Sequence, residues 1–214
     1  MVIAVIADIV GSRKLRDRSS AQRMLDETIE RVERDRPLAV ERFAPTAGDE
    51  QQAVYAELPE ALVSLAMLQL ALPDGIALRF GVGIGAIGPI ESSQGALTDG
   101  PGWWAAREAI DTVHEREQRA VPRTRTWIVG APGQDEAMPA TIAASNAYLL
   151  TRDELVGAMS ERERRLTYGR LIGSTQAELA DDEGISQPAV SKSLRSAGAA
   201  AVIAGIEHLI GDER

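Results

Sequence analysis

The sequence predicts an α/β (α+β) fold in which a ferredoxin-like sandwich is followed by an all-α region. Three observations predict it. Strand-like apolar runs alternate with helical periodicity in the order β-α-β-β-α-β-α-β over residues 1–130. A Gly-Asp pair between two of these strands indicates a hairpin, and a hairpin embedded in βαβ units gives this sandwich. Beyond a stretch rich in Gly and Pro, every pattern is helical.

Each element of the sandwich has its own signal in the sequence. The strands are β-branched or apolar runs, predicted at Val2–Ala7, Leu38–Thr46, Gln51–Ala56, Ile76–Ile87 and Arg125–Val129. The helices repeat apolar residues at helical spacing and are predicted at Ser19–Asp35, Glu60–Leu72 and Trp103–Gln118. A loop is expected at Gly88–Gly100. Gly81, Gly83 and Gly85 alternate along the fourth strand, which leaves room for a ligand or another backbone.

The predicted linker covers residues 131–139. It separates the sandwich, residues 1–130, from a helical domain at residues 140–214. Capping boxes, in which a Ser or Thr is followed three residues later by Glu, predict three helix starts in that domain. They begin at Thr151, Ser160 and Thr175.

Composition restricts the classes of function. The chain has 214 residues, 44% of them hydrophobic, with two histidines and no cysteine. Disulfides, zinc-thiolate sites and thiol nucleophiles are therefore excluded, and a reducing cytoplasm is the expected location. No apolar run is long enough to span a bilayer, so no membrane partner is expected. The net charge of −9 argues against a general nucleic-acid coat protein, but a specific DNA binder needs only a positive docking face.

Residues 175–195 have the pattern of a helix-turn-helix, a unit that places a helix in a DNA groove. Ala180 is small where the two helices cross, and Gly184 suits a turn that needs positive φ. Ser186 is a good N-cap for the second helix, and Pro188 is tolerated in its first turn. The apolar face that holds the pair together is predicted to consist of Leu179, Ile185, Val190 and Leu194.

The outward face of the second helix is the predicted contact with double-stranded DNA. It consists of Gln187, Ala189, Ser191, Lys192 and Arg195. Gln can bind adenine with two hydrogen bonds, Ala can contact a thymine methyl, and Lys and Arg can bind phosphate or guanine. A helical hairpin that only packs or dimerises is the alternative. A homodimer is expected, because one helix-turn-helix usually reads a half-site, and the apolar helix at residues 199–210 is a candidate dimer surface.

Two carboxylates in the sandwich are predicted metal ligands. Asp8 ends the first strand and Asp49 lies in the hairpin, and the topology makes these strand ends neighbours. Such carboxylates repel each other unless a cation or a proton intervenes, and hard oxygen ligands suit Mg²⁺ together with a substrate phosphate. The loop at Gly11 and Ser12 precedes a helix and offers N–H groups to an anion. Because Asp is also common at turns, a purely structural role is the alternative.

These residues resemble the two metal motifs of class III nucleotide cyclases. Ala7–Gly11 and Gly48–Asp49 are similar to those motifs. Arg79–Gly85 is similar to the cyclase strand that follows, and Ala105–Arg107 to the cyclase helix segment that ends in a phosphate-stabilising arginine. The segment Gly48–Glu50 also resembles the diguanylate cyclases. The resemblance implies that Asp8, Ile9 and Asp49 bind a metal ion, Mg²⁺, and that Arg107 stabilises a phosphate of a nucleotide ligand. A surface arginine that packs its stem is the alternative for Arg107.

Other cyclase positions are not matched. Trp103 stands where the transition-state asparagine would be, Pro45 where the base-reading lysine would be, and Ala96 near the position of the base-reading aspartate. The metal and phosphate groups are thus kept, whereas the base-selecting groups are not. That pattern fits a domain that binds a nucleotide or another phosphorylated ligand without cyclising it, and it also fits an inert relic.

The whole chain resembles the bacterial SatD family. The segments that carry the resemblance are Asp8–Arg13, Gly48–Glu50, Trp103–Glu108 and Ser186–Lys192. It implies a cyclase-like domain followed by a helix-turn-helix. The expected function is a DNA-binding transcriptional regulator that senses a magnesium-bound nucleotide. An active nucleotide-converting enzyme with an accessory helix-turn-helix and a scaffold that binds only protein are the alternatives.

Overall fold

The computed structural model of the chain describes residues 2–12, 15, 17–46, 48–90 and 97–211. A sheet of five strands lies at its centre. The strands in chain order are β1 (Val2–Ile9), β2 (Glu41–Pro45), β3 (Gln51–Tyr55), β4 (Leu78–Gly85) and β7 (Thr126–Gly130). Two further short strands form a separate antiparallel pair, β5 (Gly88–Ile90) with β6 (Leu97–Asp99).

Helices connect the strands and make up the C-terminal region. Those before β7 are α1 (Arg18–Asp35), α2 (Leu58–Ala71) and α3 (Pro101–Arg119). Those after β7 are α4 (Met138–Ala158), α5 (Glu161–Leu171), α6 (Gln176–Glu183), α7 (Gln187–Ser196) and α8 (Ala199–Leu209). Within the described residues, no helix combines the length and the apolar character that crossing a membrane requires.

The order of the sheet, β2-β3-β1-β4-β7, confirms the ferredoxin-like sandwich. β1 runs antiparallel to both β3 and β4, and β2 runs antiparallel to β3. β7 extends the sheet as a parallel neighbour of β4. Helix α1 connects β1 to β2, with β3 between them, and α2 connects β3 to β4, with β1 between them. The β2–β3 hairpin is therefore embedded in two βαβ crossovers, as the sequence pattern predicted.

Apolar side chains cover both faces of the sheet. On one face, Val5 of β1 belongs to the same buried cluster as Leu25 of α1 and Leu65 of α2. On the other face, Ile6 of β1 packs with Trp103 and other residues of α3. This alternation follows from the strand geometry, because successive side chains of β1 point to opposite faces. The residues near the end of β1 are therefore divided between the two faces as well.

Helix α3 approaches the sheet closely because β4 carries glycine at alternate positions. A Cβ on Gly81 would lie 2.2 Å from the carbonyl oxygen of Ala106, and a Cβ on Gly83 would lie 2.0 Å from that of Gly102. Both distances are shorter than any non-bonded contact allows. The glycine spacing left room for either a ligand or another backbone. The backbone of α3 fills that room.

Helix α4 covers the free edge of β7. The side chain of Asn146 accepts a hydrogen bond from the N–H of Ile128 at 2.9 Å and donates one to its carbonyl oxygen at 3.0 Å. Asp153 accepts hydrogen bonds from the backbone N–H groups of Arg125 and Thr126 at 2.7 and 2.8 Å. These side chains satisfy backbone groups that an edge strand would otherwise leave unpaired.

The region around the predicted linker has more structure than the sequence suggested. α4 already begins at Met138, inside residues 131–139, and one cluster of buried apolar side chains extends from Ile3 of β1 to Ile206 of α8. Both sides of the predicted linker therefore contribute to one core. The division into domains at residues 131–139 stays a prediction.

Two of the local expectations need correction. The prediction that a capping box at Thr151 begins a helix is wrong. Thr151 lies inside α4, and its hydroxyl donates a hydrogen bond to the carbonyl oxygen of Ala147 at 3.3 Å. The expected loop at Gly88–Gly100 contains β5 and β6, which pair with each other. The capping boxes at Ser160 and Thr175 are confirmed.

Candidate functional site

The predicted helix-turn-helix consists of α6 and α7. Thr175 and Glu178 form the capping box that begins α6. Gly184 ends α6 in the left-handed conformation, with φ of 62°, which glycine adopts without steric cost. Ser186 begins α7 by accepting a hydrogen bond from the N–H of Ala189 at 3.4 Å. The sequence predicted the capping box, the turn glycine and the N-cap, and all three are confirmed.

Apolar contacts hold α6 and α7 against the rest of the helical region. Val190 is completely buried, and Leu179 and Leu194 are nearly so. Leu179 packs onto Gly169 of α5, where a Cβ would lie 2.5 Å from Cδ2 of the leucine. Ile185, in the turn, is half-buried. The predicted apolar face is therefore packed against the protein, as expected. This packing fixes the orientation of α7 and turns its opposite face to solvent.

The predicted DNA-contacting residues differ in exposure. Gln187, Lys192 and Arg195 are exposed, whereas Ala189 and Ser191 are half-buried. Nη2 of Arg195 lies 3.5 Å from Oγ of Ser191. Within the part of the chain that the structure describes, the side chain of Lys192 makes no hydrogen bond and no ion pair. The exposed face of α7 thus presents one amide and two cations.

Arginines of α5 are joined to α6 by an ionic cluster, called here the α5–α6 clamp and consisting of Arg162, Arg165 and Glu183. Arg165 donates two hydrogen bonds to the Glu183 carboxylate, at 2.7 and 2.9 Å. Nε of Arg162 lies 3.3 Å from the same carboxylate. The hydrogen bond from Arg165 is the main reason why the pKa of Glu183 is lowered. These arginines therefore hold two helices together, and Lys192 and Arg195 are the cations on the exposed face of α7.

Three of the predicted ligand-binding residues line one cavity in the sandwich. Ile9, Ser12 and Asp49 border a space of about 330 Å³, which is also lined by Arg18 from the first turn of α1. Nη2 of Arg18 lies 3.8 Å from Oδ1 of Asp49. Gly11 precedes Ser12 with φ of 66°, so the chain turns sharply after β1. The cavity combines a carboxylate, a guanidinium and a hydroxyl group.

Asp8 lies on the other face of the sheet, beneath α3. Its Oδ1 is 3.2 Å from Nη1 of Arg79, and its Oδ2 is 2.8 Å from Nε2 of His114. Glu117 of α3 lies 2.6 Å from the same arginine. Side chains of the chain itself thus surround the Asp8 carboxylate. Among the described residues, no group of three or more His, Asp or Glu side chains is placed to hold a metal ion, and Mg²⁺ binding by Asp8 and Asp49 stays a prediction.

Arg107 lies beside the hairpin that carries Asp49. Its Nη2 is 2.7 and 2.6 Å from the two carboxylate oxygens of Glu50. The side chain is 49% exposed, so a ligand can reach it. A role in phosphate binding therefore stays a prediction for Arg107.

Two of the three residues at unmatched cyclase positions, Trp103 and Pro45, belong to the part of the chain that the structure describes. Trp103 is buried in the core between α3 and the sheet. The adjacent Trp104 is exposed and donates a hydrogen bond from Nε1 to Asp99 at 2.9 Å. Pro45 ends β2. Ala96 and Arg13 lie outside the described residues.

Sequence reasoning missed Arg79 and His114 as neighbours of Asp8. Arg79 faces Asp8 across the β1–β4 pairing, a relation that depends on the register of the sheet. His114 follows Arg107 by seven residues on α3, which places both on one face of the helix. Their sequence separations from Asp8 are 71 and 106 residues, so no local spacing could indicate these contacts.

Comparison with known proteins places the whole architecture in one family. The model of the SatD family matches residues 2–204, from β1 into α8. The chain belongs to the SatD family. The match to the SatD family includes the sheet, the cavity at Asp49 and the helix-turn-helix.

The SatD-family chain is also similar to a solved structure. That structure is the adenylyl cyclase CyaB from P. aeruginosa, with 11% identity and a TM-score of 0.35, over 55% of this chain and 81% of that chain. A likeness this weak says nothing about activity. No curated protein matches the chain.

Proposed function

We propose that this SatD-family chain is a transcriptional regulator that binds double-stranded DNA through α7. The observation that carries the proposal is the exposed face of α7, where Gln187, Lys192 and Arg195 project from a helix fixed by buried Val190 and Leu194. An amide near the start of the helix can read a base, and cations further along can bind phosphates.

The distribution of charge supports α7 as the docking surface. Within residues 186–198 the only charged side chains are those of Lys192 and Arg195. Of the four acids of α6, Glu178 caps its helix and Glu183 belongs to the α5–α6 clamp, whereas Asp181 and Asp182 are exposed. The charges that α7 itself offers to a phosphate backbone are therefore both positive, although the whole chain is acidic.

The proposal includes a homodimer in the cytoplasm. One helix-turn-helix reads a half-site, and two copies related by a twofold axis read a palindromic site. Apart from His208, the exposed side chains of α8 are those of alanine, at positions 200, 201 and 204. Although the half-buried Glu207 also lies on α8, a surface with three exposed alanines suits contact with a second copy.

A ligand in the sandwich is the second component of the proposal. The cavity lined by Ile9, Ser12 and Asp49 would hold a magnesium-bound nucleotide or another phosphorylated molecule. Carboxylate oxygen is a preferred ligand of Mg²⁺, and the guanidinium of Arg18 is suited to a phosphate. Binding there would make the chain a sensor of that ligand.

Selection of DNA fragments tests the regulator. The wild type and the Lys192→Ala/Arg195→Ala variant would each be mixed with genomic fragments of the source organism, and the bound fragments would be sequenced. We expect a shared sequence in the fragments bound by the wild type and none in those bound by the variant. Arg23→Ala/Arg119→Ala removes the same charge from exposed positions on α1 and α3 and is expected to behave as wild type. Equal selection by all three proteins would contradict the proposal.

Calorimetric titration with nucleoside triphosphates and Mg²⁺ tests the ligand site. We expect binding without turnover, and we expect Asp49→Asn to weaken binding because it removes the charged metal ligand. Binding that is unchanged in Asp49→Asn would contradict the site. Turnover that is lost in Asp8→Ala would support the nucleotide-converting enzyme instead.

A further inference from the structure

A second cavity lies between the sandwich and the helical region. Its volume is about 440 Å³, within the range of small-molecule pockets. The end of α2 and the segment that leads into β4 form its floor, and α4 and α5 contribute its walls. Apolar side chains line much of the interior, from Val10, Leu72, Ile76, Leu78 and Val156.

Three arginines line the same cavity. Arg123 and Arg125 precede β7, and Arg164 lies on α5. The side chains of Arg125 and Arg164 are only 22% and 15% exposed. Charge-assisted hydrogen bonds are strong in such partly desolvated positions. Gly157 of α4 leaves space for the stem of Arg123, because a Cβ there would lie 3.0 Å from the arginine Cδ.

The acids that pair with two of these arginines lie mostly in solvent. Asp74, which is 2.8 Å from Arg164, is 67% exposed. Glu154, the partner of Arg123, is 54% exposed. The Arg123–Glu154 pair is half-exposed on both sides and contributes little to stability in water, so a ligand anion can replace Glu154 with little loss. Asp74 lies largely in solvent, so a ligand anion can also displace it from Arg164.

Asp153, the buried acid of the cavity, already makes hydrogen bonds to other groups of the chain. One oxygen of Asp153 accepts the backbone N–H groups of Arg125 and Thr126, and the other lies 2.7 Å from Nη2 of Arg152. Arg125 keeps Glu117 as its partner at 3.0 Å. Asp153 therefore neither pairs with the arginine side chains of the cavity nor adds an unpaired negative charge to it.

We propose that this cavity binds a small organic anion. Its carboxylate or phosphate head would lie between Arg123 and Arg164, and its apolar body would pack against Leu72, Leu78 and Val156. The ligand would join α5 to the segment before β7. The site is separate from the cavity at Asp49, and the inference does not rest on DNA binding.

Isothermal titration calorimetry in phosphate-free buffer tests the site with two organic probes, phenyl phosphate and benzoate. Inorganic phosphate represents the head without an apolar body. We expect one organic probe to bind at one site per chain, about tenfold more tightly than inorganic phosphate, because the ring becomes buried. The probe that binds identifies the head as phosphate or carboxylate. Absence of saturable binding by both organic probes would overturn the proposal.

Variants locate the binding. Arg123→Gln/Arg164→Gln is expected to weaken the bound probe by about tenfold or more, because two charged donors are lost. Arg23→Gln, exposed on α1, should leave the affinity unchanged. Arg164 also donates to the carbonyl oxygens of Leu72 and Met159, at 3.3 and 3.2 Å, so Arg123→Gln alone serves as the test if the double variant does not fold. Equal affinity in the wild type and in Arg123→Gln would overturn the assignment.

Discussion

At the scale of single residues, Gly83 determines how closely α3 approaches the sheet. A Cβ there would lie 2.0 Å from the carbonyl oxygen of Gly102 and 2.4 Å from the backbone nitrogen of Ala106. Both are backbone atoms, so rotation of a side chain cannot relieve the overlap. The helix would have to move away from β4, and the core beneath Trp103 would lose contacts.

Replacing this glycine tests that packing. Gly83→Ala is expected to lower the free energy of unfolding by about 3 kcal/mol, at the upper end of what overpacking costs, or to prevent folding. Gly88→Ala is the matched control, because a Cβ at Gly88 meets no atom within 4 Å. Urea unfolding followed by circular dichroism measures both. Equal stability of the two variants would contradict the close approach of α3.

A buried ion pair fastens α4 to its neighbours. The side chains of Arg152 and Asp153 are 1% and 0% exposed. Nη2 of Arg152 lies 2.6 Å from Oγ1 of Thr126 on β7, and Gln69 of α2 donates to Asp153 at 3.2 Å. A buried pair of this kind adds little net stability, but the loss of one partner leaves an uncompensated charge in the interior.

Removal of one partner should therefore be costly. Arg152→Met is expected to lower the free energy of unfolding by about 3–5 kcal/mol, because the Asp153 carboxylate loses its buried counter-charge. Glu154→Gln, which breaks a half-exposed pair with Arg123, is expected to change it by about 1 kcal/mol or less. Urea unfolding distinguishes the two, and similar small effects would show that Arg152 does not neutralise Asp153.

At the scale of elements, the α5–α6 clamp connects the helix before the helix-turn-helix to its first helix. Glu183 is 13% exposed, and its partners Arg162 and Arg165 are 55% and 47% exposed. The hydrogen bond from Arg165 lowers the pKa of Glu183 below its ordinary value of 4.5. A carboxylate whose pKa is lowered on folding stabilises the fold above its ordinary pKa, and this contribution disappears as the pH falls through the lowered value.

The α5–α6 clamp should make the stability of the fold depend on pH. Glu183→Gln is expected to lower the free energy of unfolding by about 1 kcal/mol at neutral pH, since the arginine partners are partly screened by water. The difference from the wild type should shrink as the pH falls below 4.5, because the wild-type carboxyl then also becomes neutral. Melting temperatures between neutral pH and about pH 3 measure this difference in stability. Asp182→Asn, at an exposed position of α6, is the control. A difference that does not change with pH would contradict the role of the clamp.

The elements themselves were largely predictable, because their signals act over one or two turns. Thr175, Gly184 and Ser186 each satisfy the needs of nearby backbone, and the predictions for them are confirmed. The same Thr-x-x-Glu pattern failed at Thr151, where the hydroxyl bonds the carbonyl oxygen of Ala147 within α4. A pattern of four residues cannot distinguish a helix start from a helix interior unless the packing of α4 along β7 is known.

At the scale of the whole molecule, the surroundings of the two candidate metal ligands were beyond sequence reasoning. The strand that carries Asp8 and the hairpin that carries Asp49 were predicted correctly, since both depend on local patterns, although β1 extends to Ile9. Their partners depend on sheet register and helix packing, which bring Arg79 and His114 to Asp8 and place Arg18 near Asp49. The two carboxylates consequently lie in different surroundings, one beneath α3 and the other in a cavity beside α1.

The overall charge means that the proposed DNA binding would depend on few residues. The chain carries a net charge of −9, and the α5–α6 clamp uses arginines of α5. Lys192 and Arg195 are therefore expected to supply most of the favourable contact with phosphates. Each phosphate contact contributes about 0.9 to the slope of log affinity against log salt, so the loss of both cations should reduce the slope by about 2.

The most direct test of DNA binding by α7 is fluorescence anisotropy over a series of salt concentrations. The wild type and Lys192→Ala/Arg195→Ala would be titrated onto a selected genomic fragment and onto a scrambled version of it. The wild type is predicted to prefer the selected fragment, and the variant is predicted to bind it weakly, with a salt slope smaller by about 2. Equal binding by the two proteins, or no binding of any genomic fragment, would contradict DNA binding by α7 and leave α6 and α7 as a packing hairpin.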